Sequence, residues 1–366
     1  MRSEPRMAFV LDALPSLGGA EKVLFTALEA YPAADVFTLI YNREPFTGTA
    51  IANRTVQTSY LDTLPFAHNH HRLFLPLMPH AVEQFHFCEY DLIVSFNYAV
   101  VHGICNRNGA RHLAYTYTPL RYAWSDVNLN GTRTRKNPVV RQFLDNFRAW
   151  DVKAASRVHE FVAISQVVAE RIRCSWNRQA RVIYPPVELE RFHPHPQRED
   201  YYITVSRLVP HKRIDLLVRA FSRLKLPLVI VGSGPELGRL KTLATPNIQF
   251  LGYESDERTA ELLGKARGFV CAAEEDFGIA IVEAQAAGCP VIALGNGGAL
   301  ESILDGVTGL LFAEQSIESI IEAVHGFDKS HLRFDPSKAV QNAQRFGKAR
   351  FLQEFKQFIE SNADNK

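Results

Sequence analysis

The sequence predicts an α/β protein made of two domains, each a doubly wound parallel sheet, and three observations carry that prediction. Short apolar, β-rich runs alternate with helical periodicities. The alternation halts at a proline- and charge-rich stretch and then begins again, as it would for two copies of one architecture. Glycine-bearing turns follow several of the runs, which is where a doubly wound sheet places its ligand loops. A length of 366 residues, about twice a typical domain, agrees.

In order along the first half, the predicted strands are Met7 to Leu11, Val36 to Tyr41, Asp91 to Phe96, His112 to Tyr117, Phe161 to Ser165 and Arg181 to Tyr184. Helical patterns at Ala20 to Ala30, Leu73 to Phe87 and Val139 to Ala155 lie between them. The stretch Pro185 to Asp200 holds four prolines and many charges without either period, so it reads as a linker with a boundary near Pro194. This divides the chain into 1–193 and 194–336. In the second half the strands are Tyr202 to Ser206, Leu228 to Val231, Ile248 to Leu251, Gly268 to Ala272, Val291 to Leu294 and Gly309 to Phe312. The helices there are Ile214 to Leu224, Pro235 to Ala244, Asp256 to Lys265, Ile279 to Ala287 and Ile317 to Phe327. A final amphipathic segment, Ser337 to Ile359, spaces Phe346, Phe351, Phe355 and Phe358 as a helix would, and the tail 337–366 is expected to pack back on the first domain.

Composition narrows the function classes. Hydrophobic residues at 46% and charged residues at 22% fit two packed cores and exclude a disordered chain. With 41 basic against 39 acidic residues, the +2 formal charge offers no overall field to recruit nucleic acid, so any anion site must be local. The five cysteines are odd in number and lack a CxxC pair, which fits a reducing compartment. The apolar run near the N-terminus is short and interrupted by Asp12, so neither a signal peptide nor a membrane span is expected. The expected location is the cytoplasm, soluble or peripherally attached to the inner face of the membrane.

Two such sheets facing each other would gather the carboxyl ends of their strands around one crevice, and the candidate residues follow strands. Gly18-Gly19 ends the first predicted loop and opens a helix, where free N–H groups favour a phosphate, although a plain tight turn has the same signature. In Val205-Ser206-Arg207 and on to Lys212, two cations stand between a strand and a helix, able to converge on an anion or to form a solvated basic turn. Charge developing on a departing diphosphate would strengthen their hold in the transition state. Glu275 and Phe277 lie in the loop before the predicted helix, Gly278 stands at its start, and Ile279 and Ala280 open the helix that carries Glu283, with free N–H groups from Gly278 to Ala280 placed to face a phosphate. Glu283 lies five residues past Gly278, a rise of about 7.5 Å. Carboxylates so separated can grip two parts of one elongated ligand, though Glu275 as a helix cap is the plainer reading. Gly232-Ser-Gly234 is a weaker phosphate-turn candidate, as is Gly295-Asn-Gly297-Gly298.

With the Arg207-x4-Lys212 pair, the Glu275-x7-Glu283 element and the Gly18-Gly19 loop in order, the chain resembles the family 4 retaining glycosyltransferases of the GT-B fold over nearly its full length. That resemblance implies two Rossmann-like domains facing across a cleft, the first for the acceptor and the second for a nucleotide-sugar. It implies that Arg207 and Lys212 hold the donor diphosphate, that Glu275 and Gly278 meet the transferred sugar, and that Glu283 meets the ribose. The segment Tyr115 to Trp124, with the Glu274 to Ile279 motif, resembles a bacterial polysaccharide and O-antigen mannosyltransferase branch. That branch implies GDP-mannose as donor and a glycan or lipid-diphosphate-linked acceptor. Relatives carry histidine where this chain has Tyr117, a side chain that still donates a hydrogen bond but is not cationic near neutral pH. The family's same-face chemistry needs no protein nucleophile, and no cofactor or metal is expected, since Arg207 and Lys212 would supply the positive charge.

The acceptor side is read from Arg121, Tyr122 and Trp124, with the basic residues Arg133, Arg135 and Lys136 nearby. Bulky apolar residues from Arg72 to Phe85, after His68, His70 and His71, could meet a lipid-linked acceptor but fit a buried helix better. No obligate protein partner is implied. Two other readings stay open: a sugar-nucleotide epimerase of the same fold, and a non-catalytic nucleotide-sugar-binding subunit. A nicotinamide dehydrogenase fits poorly, because neither glycine turn completes G-x-G-x-x-G.

Overall fold

The computed structural model describes residues 5–106, 109–124, 138–329 and 334–363. The chain forms two compact units, Met1–Pro186 with Phe351–Lys366, and Val187–Arg350.

Unit 1 holds strands β1 (Met7–Leu11), β2 (Asp35–Thr38), β3 (Val56–Thr58), β4 (Leu92–Asn97), β5 (Arg111–Thr116), β6 (Glu160–Ala163) and β7 (Ala180–Val182). They form one sheet in the order β3-β2-β1-β4-β5-β6-β7, with every pairing parallel. Strand order reverses between β1 and β4, the switch point where a doubly wound sheet opens a crevice. All six residues of β4 are buried, which is why this strand reads as a continuous apolar run. Helix Lys348–Ala363 covers one face: Phe355 lies edge-on to Phe9 and Phe351 edge-on to Tyr115.

Two local expectations change. Strand β3 was not predicted, because Val-Gln-Thr at a sheet edge is too short and polar to register as an apolar run. Leu73 to Phe87, expected as one helix, is a succession of short turns ending in Met78–Glu83. Pro76 and Pro79 remove the amide donors that a continuous helix needs.

Unit 2 holds β8 (Tyr202–Val205), β9 (Leu228–Val231), β10 (Ile248–Gly252), β11 (Gly268–Cys271), β12 (Val291–Leu294) and β13 (Gly309–Phe312), ordered β10-β9-β8-β11-β12-β13 and all parallel. Helix Ile214–Leu224 buries Leu217, Val218 and Phe221 in a core shared with Tyr202, Ile230 and Ile292.

The seam falls after Pro186 instead of near Pro194. The expected linker is packed: Val187 N donates to Phe346 O (2.9 Å), Glu199 N to Lys265 O (2.7 Å), and Arg198 to Ala266 O (2.9 Å). Nor does the whole tail from Ser337 return to unit 1. Buried Asn342 gives its amide to Gln285 Oε1 and Ser302 O, each at 2.7 Å, tying helix Pro336–Ala343 to unit 2, and only residues from Phe351 onward belong to unit 1. Among the described residues, no helix is long and apolar enough to cross a membrane.

Candidate functional site

In unit 2 the order reverses between β8 and β11, so their carboxyl ends release two loops side by side. A crevice there is lined by Thr204, Ser206, Lys212, Cys271, Glu275 and Gly278.

The loop after β8 is pinned by Leu208, which is fully buried, takes Ser233 O through its N–H (2.8 Å) and accepts from Glu236 N (3.1 Å). Two glycines allow that apposition. Gly232 has φ +129° and Gly234 φ +158°, and an added Cβ would stand 1.9 Å from Ser206 O and 2.4 Å from Leu208 O. The close approach of two backbones explains this pair without a ligand. Helix Leu237–Leu243 begins two residues after Pro235, so that proline sits in the turn and not at the first helical position. Ser206 donates its hydroxyl to Arg207 O (3.2 Å). Arg207 is exposed, with no side-chain hydrogen bond or ion pair among the described residues. Lys212 ends a 3-10 turn, and Arg213 (φ +51°) turns the chain into helix Ile214–Leu224.

The loop after β11 is bedded on the glycine run that follows β12. Gly298 N donates to Glu275 O (2.7 Å), and a Cβ on Gly298 would lie 2.4 Å from Phe277 Cα. Phe277 is 2% exposed, its ring packed edge-on to Phe346, so it can offer a ligand only its backbone. Gly278 (φ +88°) caps helix Ile279–Ala286 without any side-chain cap, so Glu275 is not the helix cap. Instead both carboxylate oxygens of Glu275 accept from Lys212 Nζ, each at 2.7 Å, with the two side chains 16% and 20% exposed. The two residues that the sequence assigned to different parts of one ligand therefore hold each other. Cys271 Sγ lies 3.9 Å from Glu275 Oε1, and burial first, then the Glu275 charge, push its thiol up to about 12, so it is uncharged at neutral pH.

Ile279 and Ala280 open the helix, and its residues from Ile281 to Ala286 are all buried. Glu283 among them is 9% exposed, and its Oε1 accepts from Arg191 Nη2 at 2.8 Å. Arg191 was not singled out from the sequence: it lies 92 residues away, in the stretch taken for a linker.

In unit 1, Gly18 caps helix Gly19–Ala30 in an extended conformation, with Glu21 Oε2 close against it. Tyr117 follows β5 and donates its hydroxyl to Ala20 O (2.9 Å), fastening that first turn to the end of β5. Burial, with the neighbouring Tyr115, holds its phenol well above the usual range. Asp12, at the end of β1, accepts from the backbone N–H groups of Tyr98, Ala99, Val100 and Val101 at 2.6–3.0 Å. An acid closing an apolar strand was the available signal for this network.

Of the expected acceptor residues, Arg121, Tyr122 and Trp124 form the short helix Arg121–Trp124. Trp124 is committed elsewhere: its indole donates to Asp151 Oδ2 (2.6 Å), as does that of Trp176 (2.6 Å), while His102 Nε2 lies 3.0 Å from Asp151 Oδ1. This buried cluster gives Trp124 a structural occupation. Arg133, Arg135 and Lys136 lie outside the described residues. Of the stretch Arg72 to Phe85, expected as a buried helix, Met78, Ala81 and Val82 are buried but Leu73 is 74% exposed, so only its second half is core, while His68 and His70 upstream are exposed.

Residues 188–345 match the family described as "Glycosyl transferases group 1". Over 209 residues the chain is 32% identical to the GDP-mannose-dependent alpha-(1-6)-phosphatidylinositol monomannoside mannosyltransferase of Mycobacterium tuberculosis, covering 48% of this chain and 53% of that protein. Over 208 residues it is 31% identical to the D-inositol 3-phosphate glycosyltransferase of Kribbella flavida, covering 46% and 48%. The chain spans about half the length of the curated relatives it matches. Among solved structures it is similar to Anabaena Alr3699/HepE in complex with UDP and glucose (TM-score 0.69, 18% identity, 98% and 100% of the two chains). It is also similar to sucrose-phosphate synthase from Thermosynechococcus elongatus (TM-score 0.73, 17% identity, 97% and 98%). The fold is GT-B.

Proposed function

Because residues 188–345 form a group 1 glycosyl transferase domain within a GT-B fold, we propose that the protein transfers a hexosyl group, mannose from GDP-mannose, with retention, onto a glycan or lipid-linked oligosaccharide in bacterial polysaccharide synthesis. The observation that carries this reading is the Lys212–Glu275 pair, set beside Gly278 at the switch point of unit 2, with Arg207 exposed on the adjoining loop. The mannose and guanosine assignments are supported by the mannosyltransferase at 32% identity and by the motif resemblance.

Arg207 and Lys212 bind the diphosphate of the donor. As the bond from the sugar's anomeric carbon to the diphosphate oxygen breaks, negative charge grows on that oxygen, and the two cations stabilise the transition state more than the bound donor. The acceptor hydroxyl attacks from the same face and its proton passes to the departing phosphate, so no protein base is required. Glu275 accepts a hydroxyl of the transferred sugar, the backbone from Gly278 to Ala280 faces phosphate, and Glu283 accepts from the ribose. With the two cations supplied by Arg207 and Lys212 the reaction needs no metal. The protein works at the cytoplasmic face of the membrane, where a lipid-diphosphate-linked acceptor would be met.

A thermal-shift panel of GDP, UDP, ADP and their sugar conjugates, run with and without EDTA, tests the reading. A ligand at a hundred times its Kd adds about 2.7 kcal/mol to folding stability, which raises Tm by a few degrees for a chain this long. GDP and GDP-mannose should give that shift in EDTA. A shift with UDP ligands alone overturns the donor assignment, and a shift that EDTA abolishes overturns the metal-free mechanism.

A further inference from the structure

Glu283 is a carboxylate in the middle of a helix whose neighbours are all core residues, and its charge is met by Arg191. The arginine does not arrive from a nearby turn. It stands in the 3-10 turn Leu189–Arg191 at the start of unit 2, stacks over the Phe192 ring at 4.8 Å, and is 20% exposed. One guanidinium nitrogen donates to Glu283 Oε1 at 2.8 Å and the other to Asp256 at the first turn of helix Asp256–Lys265. Its Nε is buried and, among the described residues, has no hydrogen-bond partner.

That arrangement is a poor choice for stability alone. A buried ion pair contributes little compared with apolar packing of the same volume, and an orphaned buried N–H adds a cost. What the geometry does supply is a fixed carboxylate. Asp256 holds the guanidinium from one side, so the plane that faces Glu283 cannot swing, and a bond from that plane restricts the rotation of the Glu283 side chain.

We propose that Arg191 is a positioning residue for the donor's ribose: it holds the Glu283 carboxylate in the orientation that receives the ribose hydroxyls. This rests on the assignment of Glu283 to the ribose made above. A ligand that meets a carboxylate already held does not have to immobilise it on binding, and one freed glutamate side chain weakens affinity by about tenfold or less.

The test is a set of calorimetric titrations on the full chain with two probes, GDP and 2′,3′-dideoxy-GDP. Arg191→Met should weaken GDP binding about fivefold to tenfold and leave dideoxy-GDP binding as in the wild type, because that ligand offers Glu283 no hydroxyl. Arg191→Lys, which keeps the charge but lacks the rigid planar fork of the guanidinium, should recover part of the loss, and it serves as the readout should Arg191→Met fold poorly. Equal losses on both ligands would mean that Arg191 only props up the fold, and no loss on either would mean that Glu283 needs no holding. Each of these overturns the proposal. Glu283→Gln, titrated in parallel, separates the premise: a variant that still prefers GDP over dideoxy-GDP by the wild-type ratio removes Glu283 from the ribose and overturns that reading first.

Discussion

Replacing Glu275 by glutamine should have opposite effects on the spent nucleotide and on the intact donor. The two oxygens of Glu275 each accept from Lys212 Nζ at 2.7 Å, and neither side chain is more than 20% exposed. A diphosphate that recruits Lys212 must therefore weaken this pair and leave Glu275 partly uncompensated. Intact donor relieves that by giving the carboxylate a sugar hydroxyl, whereas GDP does not. A hydrogen bond to a charged group contributes roughly 1.5–3 kcal/mol, against about 1 for a neutral one. Glu275→Gln leaves the Lys212 ammonium one uncharged acceptor oxygen in place of a carboxylate, so the competition falls by about 1 kcal/mol and GDP should bind about fivefold more tightly. A donor analogue gains the same amount but loses a charge-assisted bond to its sugar, for a net weakening of about twofold or more. The ratio of the two affinities should then shift by at least about tenfold. Calorimetry with GDP and a non-hydrolysable GDP-mannose analogue measures both, with Lys212→Met as the control that loses affinity for each. GDP binding that is unchanged or weaker in Glu275→Gln would refute the reasoning, because the ion pair would then not compete with diphosphate.

Three further outcomes follow from the structure. Arg207→Ala and Lys212→Ala should each lower kcat by about a hundredfold or more with Tm little changed, as expected for groups that stabilise a leaving charge, measured by release of nucleoside diphosphate in the presence of acceptor. Asp151→Ala removes a fully buried carboxylate that holds the N–H groups of buried Trp176 and half-buried Trp124 beside buried His102, so it should cost about 3–5 kcal/mol in denaturant titration; a loss under 1 kcal/mol would contradict the cluster's structural role. His112 is buried with Nε2 on Ser95 Oγ at 2.8 Å, and burial first, then neighbouring cationic groups, lower it from 6.5 to about 3. The unfolded chain thus binds a proton that the folded chain refuses between those values, so this contribution to stability is complete above pH 6.5 and declines as the pH falls towards 3. At pH 5 about 2 kcal/mol should be missing relative to pH 7, and His112→Gln should shrink that difference.

The parallel alternation, most strand positions and the place of Lys212 and Glu275 on the loops at the switch point were legible because they are local. A buried parallel strand is a continuous apolar run, and a loop that follows it is its immediate neighbour in sequence. Even Gly278, with φ +88°, was marked by the helix it precedes. The glycines at 232, 234 and 298 were visible as residues but not in purpose, since the backbones they approach come from other loops.

Tertiary structure alone decided who pairs with whom. Lys212 and Glu275 are separated by 63 residues and Arg191 and Glu283 by 92, and Trp124 reaches Asp151 across 27. No periodicity spans such intervals. The sequence by itself determined which segments are strands and which side chains end up beside the switch point, because burial and backbone sterics act over a few residues. It could not determine that the expected linker supplies the cation for a buried glutamate, or that a candidate acceptor tryptophan is tied to a buried aspartate, because charge pairing in a low-dielectric interior depends on the distance between folded loops and not on their order in the chain.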